Sequence, residues 1–283
     1  MNDKPTVSPP PQAGIGPTDG EAALVIGADA VQAELRARRV GALARLYGAE
    51  PAARLASLRV AVIGIGGVGS WAAEALARSG VGTLRLGDLD HIADSNINRQ
   101  VHALADEVGR AKVEAMAARI AAMDVGCVVE TVDDFLTPDN VAEMVAGCDA
   151  VLDCIDDGRA KTALVVHARR HGIRLIVCGA AGGKRDATRV QIDDLARVRN
   201  DPLLARLRTT LRREHGFPAG GAKRVAPFGV VAVFVDEPPA PAPVSCAPGA
   251  ALACAGYGSA VHVTASVGFA AAGWLINAVT AAG

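Results

Sequence analysis

Three glycines, Gly64, Gly66 and Gly69, stand between an apolar run at 59–64 and an Ala-rich stretch that follows. A glycine loop that leaves a strand and opens a helix suits phosphate. The first glycine permits the tight turn, the second lets the backbone approach the ligand, and the third lets helix and strand pack closely, with the positive end of the helix dipole facing the anion. Asp88 ends the next apolar run, where a carboxylate takes ribose hydroxyls. Those residues alone serve a dinucleotide or ATP equally well. Asn96, Arg99 and Lys112 add an amide and two cations beyond the same edge. A pyrophosphate does not need them, but a triphosphate does, because its charge must be offset before a nucleophile reaches the α-phosphorus. Asp156, beyond a later apolar run, suits Mg²⁺ as an oxygen ligand, and its neighbours Asp153 and Asp157 are further candidates for that role.

The elements that must position these residues are legible as alternation. Apolar runs at 59–64, 83–87, 127–132, 149–153 and 174–178 read as strands, and 67–79, 109–123, 138–146 and 158–171 as helices. Continuous apolar strands separated by helices imply an α/β fold, a Rossmann-like parallel sheet covered on both faces. Residues 30–57, with Arg36, Arg38, Arg39 and Arg45, read as helical. Residues 1–20, rich in Pro and Gly, read as a disordered tail, and 21–283 as a single domain. Within it, 59–179 form the nucleotide-binding core, 197–250 a basic segment and crossover loop, and 251–283 an apolar end.

Composition narrows the classes. The chain has 283 residues, 51% of them hydrophobic but only 3% aromatic, so the core is built from Ala, Val, Leu and Ile. A net charge of −1 supplies no global attraction to nucleic acid or membrane, so any anionic partner must meet a local patch. Such a patch is offered by 197–213, where six arginines face one acid, Asp201, at spacings that suit a basic helix; it is either a solvated face or a phosphate-contact surface. Six scattered cysteines with no Cys-x-x-Cys pair argue against structural zinc and fit reduced thiols in a cytoplasm. Cys178 and Cys254 sit in apolar surroundings that favour packing over reactivity. The start carries no apolar stretch of signal-peptide length. Residues 259–282 hold no acid, lysine or arginine and are long enough to span a bilayer, yet Ala, Gly, His262, Thr264, Ser266 and Asn277 make a buried core helix the leading expectation and membrane contact the alternative.

The full pattern resembles the ubiquitin-activating-type adenylating enzymes, the ThiF- and MoeB-like superfamily. The segments that carry the resemblance are Gly64-x-Gly66-Gly67-Val68-Gly69-Ser70, Asp88-x-Asp90, Ser95-Asn96-x-Asn98-Arg99-Gln100 and Val108-Gly109-x-x-Lys112. Within it the chain is similar to the bacterial tRNA threonylcarbamoyladenosine dehydratases, through Arg45-Leu46-Tyr47-Gly48, Trp71-Ala72-Ala73-Glu74-Ala75, His102-Ala103-Leu104, Val132-Asp133-Asp134-Phe135 and Gly179-x-Ala181-Gly182-Gly183. The resemblance covers about residues 36–283 and is weakest from 215 to 250. It implies additional C-terminal strands and a helix, and a homodimer with ATP and Mg²⁺ at each site. Gly64, Gly66, Gly67 and Gly69 would cradle phosphate, Asp88 would hold ribose, Asn96, Arg99 and Lys112 the triphosphate, and Asp156 the metal. An arginine of the partner protomer completes the site in relatives, and Arg39 and Arg45 both qualify.

The chemistry so implied is attack of a substrate carboxylate on the α-phosphate of ATP with loss of pyrophosphate. In the dehydratases that carboxylate is the threonyl group of the modified tRNA base; the urea of the same group then closes a ring and expels AMP, with net loss of water. Adenylation of a ubiquitin-like sulfur carrier uses the same first step, but the zinc-binding cysteine pair common there is absent, and Val230-Val231-Ala232-Val233 stands where relatives can carry a cysteine. A sulfur-transfer partner protein nonetheless remains open. A nicotinamide-dependent oxidoreductase would leave Asn96, Arg99, Lys112 and Asp156 idle, and an inactive scaffold would not need the whole charged set.

Overall fold

Alternating side chains on short parallel strands bury both faces of the central sheet. In the first strand Val60 and Val62 point to one layer, while Ala61 and Ile63 point to the other. The computed structural model describes residues 19–123, 125–221, 225–240 and 257–281. The expected tail, apart from its last two residues, most of the Pro-rich crossover and Cys254 lie outside the described residues. The chain divides into two compact units, one ending at Arg39 and one running from Val40 to the end. The boundary falls within α1 (Asp19–Tyr47).

The second unit holds a seven-stranded sheet of β1 (Arg59–Ile63), β2 (Thr83–Gly87), β3 (Val128–Val132), β4 (Ala150–Asp153), β5 (Arg174–Cys178), β6 (Val190–Asp194) and β7 (Val231–Val235), in the order β3-β2-β1-β4-β5-β7-β6. All neighbours are parallel except β6 and β7. The five expected strands are β1 to β5; β6 and β7 are the additional C-terminal strands. One face packs against α3 (Gly69–Arg78), α4 (Lys112–Met123) and α8 (Val261–Thr280), the other against α5 (Val141–Met144), α6 (Gly158–His171) and α7 (Pro202–Glu214).

Three expectations are corrected. The helix anticipated over 30–57 is two helices, α1 and α2 (Ala49–Ser57), because Gly48 takes φ 97°, a conformation that ends one helix and starts the next. The helix anticipated over 138–146 shortens to one turn. The basic helix over 197–213 begins only at Pro202, where Asp201 caps it by accepting the Leu204 N–H. Arg197 and Arg199 precede it and pair with Asp193 and Asp236. The run is therefore not one cationic face.

The uncharged C-terminal stretch forms α8, a core helix. A Cβ on Gly268 would lie 2.6 Å from the Val68 carbonyl, so its small residues let α8 approach α3 closely. Val263, Val267, Ala271, Ala272 and Leu275 are buried in the same layer.

Candidate active site

The strand order reverses between β1 and β4, and in such sheets ligands bind beyond the carboxyl ends of the strands at that crevice. The loop from Gly64 to Gly69 lies there. Gly64 has φ 88°, and a Cβ on it would stand 2.8 Å from the Cys154 carbonyl oxygen. A Cβ on Gly69 would stand 1.8 Å from the Gly64 carbonyl oxygen. These two glycines are dictated by the turn. A Cβ on Gly66 would meet nothing within 4 Å, so the backbone there borders open space, as a loop that admits phosphate requires. Gly67 faces Thr264 of α8 and the Arg99 side chain, at 3.0 and 3.4 Å from its would-be Cβ.

The charged residues converge on this loop through a chain of contacts. The Asp88 carboxylate accepts the Ile65 N–H at 2.6 Å and the Asp90 N–H at 2.9 Å, which ties the end of β2 to the glycine loop. Burial pushes its pKa up, opposed by the Lys112 charge and by these two N–H donors. Lys112, at the start of α4 and buried, donates to Asp90 Oδ2 at 2.6 Å. Asn96 is buried in a single 3₁₀ turn, its Oδ1 accepting the Ala93 N–H and its carbonyl the N–H groups of Arg99 and Gln100. Arg99 donates to the Ser95 carbonyl and to Asn98, and its own carbonyl accepts from Trp71 Nε1 at 2.9 Å.

Across the crevice, Asp156 is exposed in the loop after β4, one residue beyond Ile155, whose N lies 3.0 Å from the would-be Cβ of Gly64. Of the two neighbours expected to share a metal role, Asp153 is withdrawn from it by burial against Lys161, while Asp157 is exposed and commits only its Oδ1. Asp157 caps α6, accepting the Arg159 and Ala160 N–H groups. Asp153 is fully buried and bonds Lys161, also fully buried, at 2.8 Å. Among the described residues no group of three or more metal-ligating side chains forms.

Some site features escaped sequence reasoning. Thr264 comes from the far end of the chain to wall the loop, and no local pattern announces it. The buried Asp153–Lys161 pair fixes the base of the Asp156 loop; the i, i+8 spacing carries no signature. His102 and Gln100 are buried with unpartnered polar atoms beside the charged cluster. Cys178 is buried, 3.8 Å from Cys154 between sulfurs. The Cys154 thiol is held well above its usual range by its hydrogen bond to Cys178 and by burial, which leaves little thiolate for chemistry. Arg45 is exposed on the last turn of α1.

A phosphate loop at the switch point, a buried ribose-type carboxylate and a fixed Asn–Arg–Lys set define a nucleotide-dependent adenylation fold, and the chain belongs to the ThiF family, whose model matches residues 38–282. It is 45% identical over 245 residues to the tRNA threonylcarbamoyladenosine dehydratase of Escherichia coli, covering 83% of this chain and 90% of that protein. To the enzyme of the same name from Haemophilus influenzae it is 40% identical, over 85% and 92%. The crystal structure of the E. coli dehydratase in complex with ATP matches with a TM-score of 0.78 at 43% identity, over 87% of this chain and 95% of that one.

Proposed function

We propose that this protein dehydrates threonylcarbamoyladenosine in tRNA, using ATP to activate the threonyl carboxylate. The observation that carries the reading is the open backbone at Gly66, flanked by Asp88, Arg99 and the Asp90-held Lys112. That cradle suits a triphosphate, and relatives spanning most of this chain bear the dehydratase name. Adenylation of a sulfur-carrier tail, the second reading, uses the same cradle but has no feature of its own here.

In this reading Gly64, Gly66, Gly67 and Gly69 hold the phosphates and Asp88 the ribose. Arg99 and Lys112 neutralise, and the Asn96 amide hydrogen-bonds to, charge that develops as the carboxylate oxygen bonds to the α-phosphorus and pyrophosphate departs, an electrostatic contribution of several kcal/mol. Lys112 must turn part of its charge from Asp90 to phosphate. Asp90 is exposed and its freed carboxylate meets water, so the exchange is inexpensive. Asp156 would hold Mg²⁺, whose chemistry is to offset phosphate charge. Ring closure by the urea nitrogen on the activated carbonyl releases AMP, and the net change is one water lost. The protein works as a homodimer, with the partner's Arg39 or Arg45 completing each site, in the cytoplasm where tRNA is found; a sulfur-transfer protein is not needed for these steps.

The test is incubation with ATP and tRNA that carries the modification, followed by mass spectrometry of the nucleosides. A product lighter by one water, with AMP formed in equal amount, supports the reading. AMP formed on a carrier-protein tail and not on this tRNA would replace it by the second.

A further inference from the structure

We infer that the C-terminal ends of α6 and α7 form a face that grips the phosphate backbone of the tRNA away from its reacting base; this rests on the tRNA reading above. α6 starts at Asp157, beside the candidate site, and its 14 residues carry the chain about 20 Å away. Its last turn is Arg169, Arg170 and His171, and Arg174 follows at the start of β5. The last turn of α7 adds Arg212 and Arg213, with His215 behind them. Helix dipoles favour cations at each helix end, but not the continuation onto Arg174 or the juxtaposition of two such ends.

The two ends are locked together by aromatic contacts. The Arg169 guanidinium lies 4.2 Å from the Phe217 ring centroid, Arg212 lies 5.2 Å from that of Phe228, and the two rings are 4.9 Å apart. These contacts aim the cations and leave their charge uncompensated. Arg169, Arg170, Arg174 and Arg212 make no ion pair among the described residues, and the two nearby acids are engaged, Glu214 by Arg213 and Asp149 by the Arg59 N–H. Two cavities of about 800 and 480 Å³ open here and share Arg169 as a wall. The first is also lined by Arg174 and Trp274, and by Arg54, which is held by Glu50 and the Val279 and Thr280 carbonyls.

On a chain of net charge −1 the four arginines without an ion pair among the described residues, Arg169, Arg170, Arg174 and Arg212, select a polyanion, and bidentate guanidinium–phosphate contacts are the matching chemistry. The face keeps only the end of the 197–213 run, Arg212 and Arg213, since Arg197 and Arg199 are spent on acids.

Arg170 and Arg174 are exposed and hold nothing in place, so the double variant R170E/R174E tests the face without loosening the fold. Binding of full-length tRNA and of a short anticodon stem-loop is measured against salt for both proteins. The wild type should bind full-length tRNA more tightly than the stem-loop, and the double variant should erase that difference, weakening full-length tRNA tenfold or more at about 0.1 M salt and lowering the salt slope by about 2. Full-length affinity within twofold of wild type with an unchanged slope overturns the proposal. So does a change in molecular mass by light scattering, which assigns the face to a second copy of this chain. Because binding is read separately from product, tight salt-dependent binding without dehydration would sink the functional reading and leave this one standing.

Discussion

At the residue scale the glycine loop separates folding from binding. Gly69→Ala and Gly64→Ala drive a Cβ into backbone, at 1.8 and 2.8 Å, and Gly64 also has a positive φ, so both should lower the unfolding free energy measured in urea by several kcal/mol. Gly66→Ala meets no protein atom and should fold within about 0.5 kcal/mol of wild type while losing ATP affinity. Equal damage from all three substitutions would mean that Gly66 is structural. Lys112→Ala and Asp156→Ala should cut adenylation by about a hundredfold or more with circular dichroism unchanged, since in the proposed reading one removes a cation from the phosphates and the other the carboxylate that would hold Mg²⁺. Unfolded variants, or full AMP release by both, contradict these roles. His102 gives a pH signature. Burial, reinforced by the Lys112 and Arg119 charges, pushes its pKa down from 6.5 to about 4. The unfolded chain therefore takes up the proton first, and stability falls as pH drops through 6.5 toward 4, by about 2 kcal/mol between pH 7 and 5. Urea titrations at those two pH values should show a smaller loss for His102→Leu than for wild type; parallel losses would mean His102 is not held neutral.

At the element scale the Asp153–Lys161 pair joins β4 to α6 beneath the Asp156 loop, with both side chains fully buried. Removing one partner strands the other charge, so Lys161→Met should cost about 3–5 kcal/mol in chemical denaturation, and a cost under 1 kcal/mol would show that the pair is not dry. The strands and helices of the first half were readable because a parallel sheet buried on both faces demands apolar runs, which β1, β4 and β5 supply, while β2 and the edge strand β3 keep enough Leu and Val around Arg85 and Glu130 to read the same way. Later elements read less well for identifiable reasons. β6 is antiparallel at the edge and polar (Val190-Gln191-Ile192-Asp193-Asp194), so it lacks that signal. The arginines of 197–213 looked like one helix face because sequence spacing does not show that Asp193 and Asp236 lie within reach of Arg197 and Arg199. Of the candidate site, Gly64, Gly66, Gly67, Gly69, Asp88, Asn96, Arg99, Lys112 and Asp156 were named from motif, while Thr264 was not, because only the packing of α8 on α3 brings it to Gly67.

For the molecule as a whole, the sheet divides its labour between its two edges. The carboxyl edge at the β1–β4 reversal presents the glycine loop proposed to hold phosphate, with Arg99 and Lys112 near it, and the opposite edge gathers arginines, of which Arg169, Arg170, Arg174 and Arg212 make no ion pair among the described residues. One covered α/β sheet can thus act on a single base while holding a long polyanion. Membership of the ThiF family accounts for the first edge, and the similarity to dehydratases over most of both chains points to the base. The central claim is that a carboxylate on tRNA is what this site adenylates. The most direct measurement is ATP–pyrophosphate exchange with threonylcarbamoyladenosine-modified tRNA, with unmodified tRNA and with no RNA. Exchange that requires the modified tRNA is the expected result. Exchange that proceeds equally with all three, or only with a carrier protein added, would contradict it.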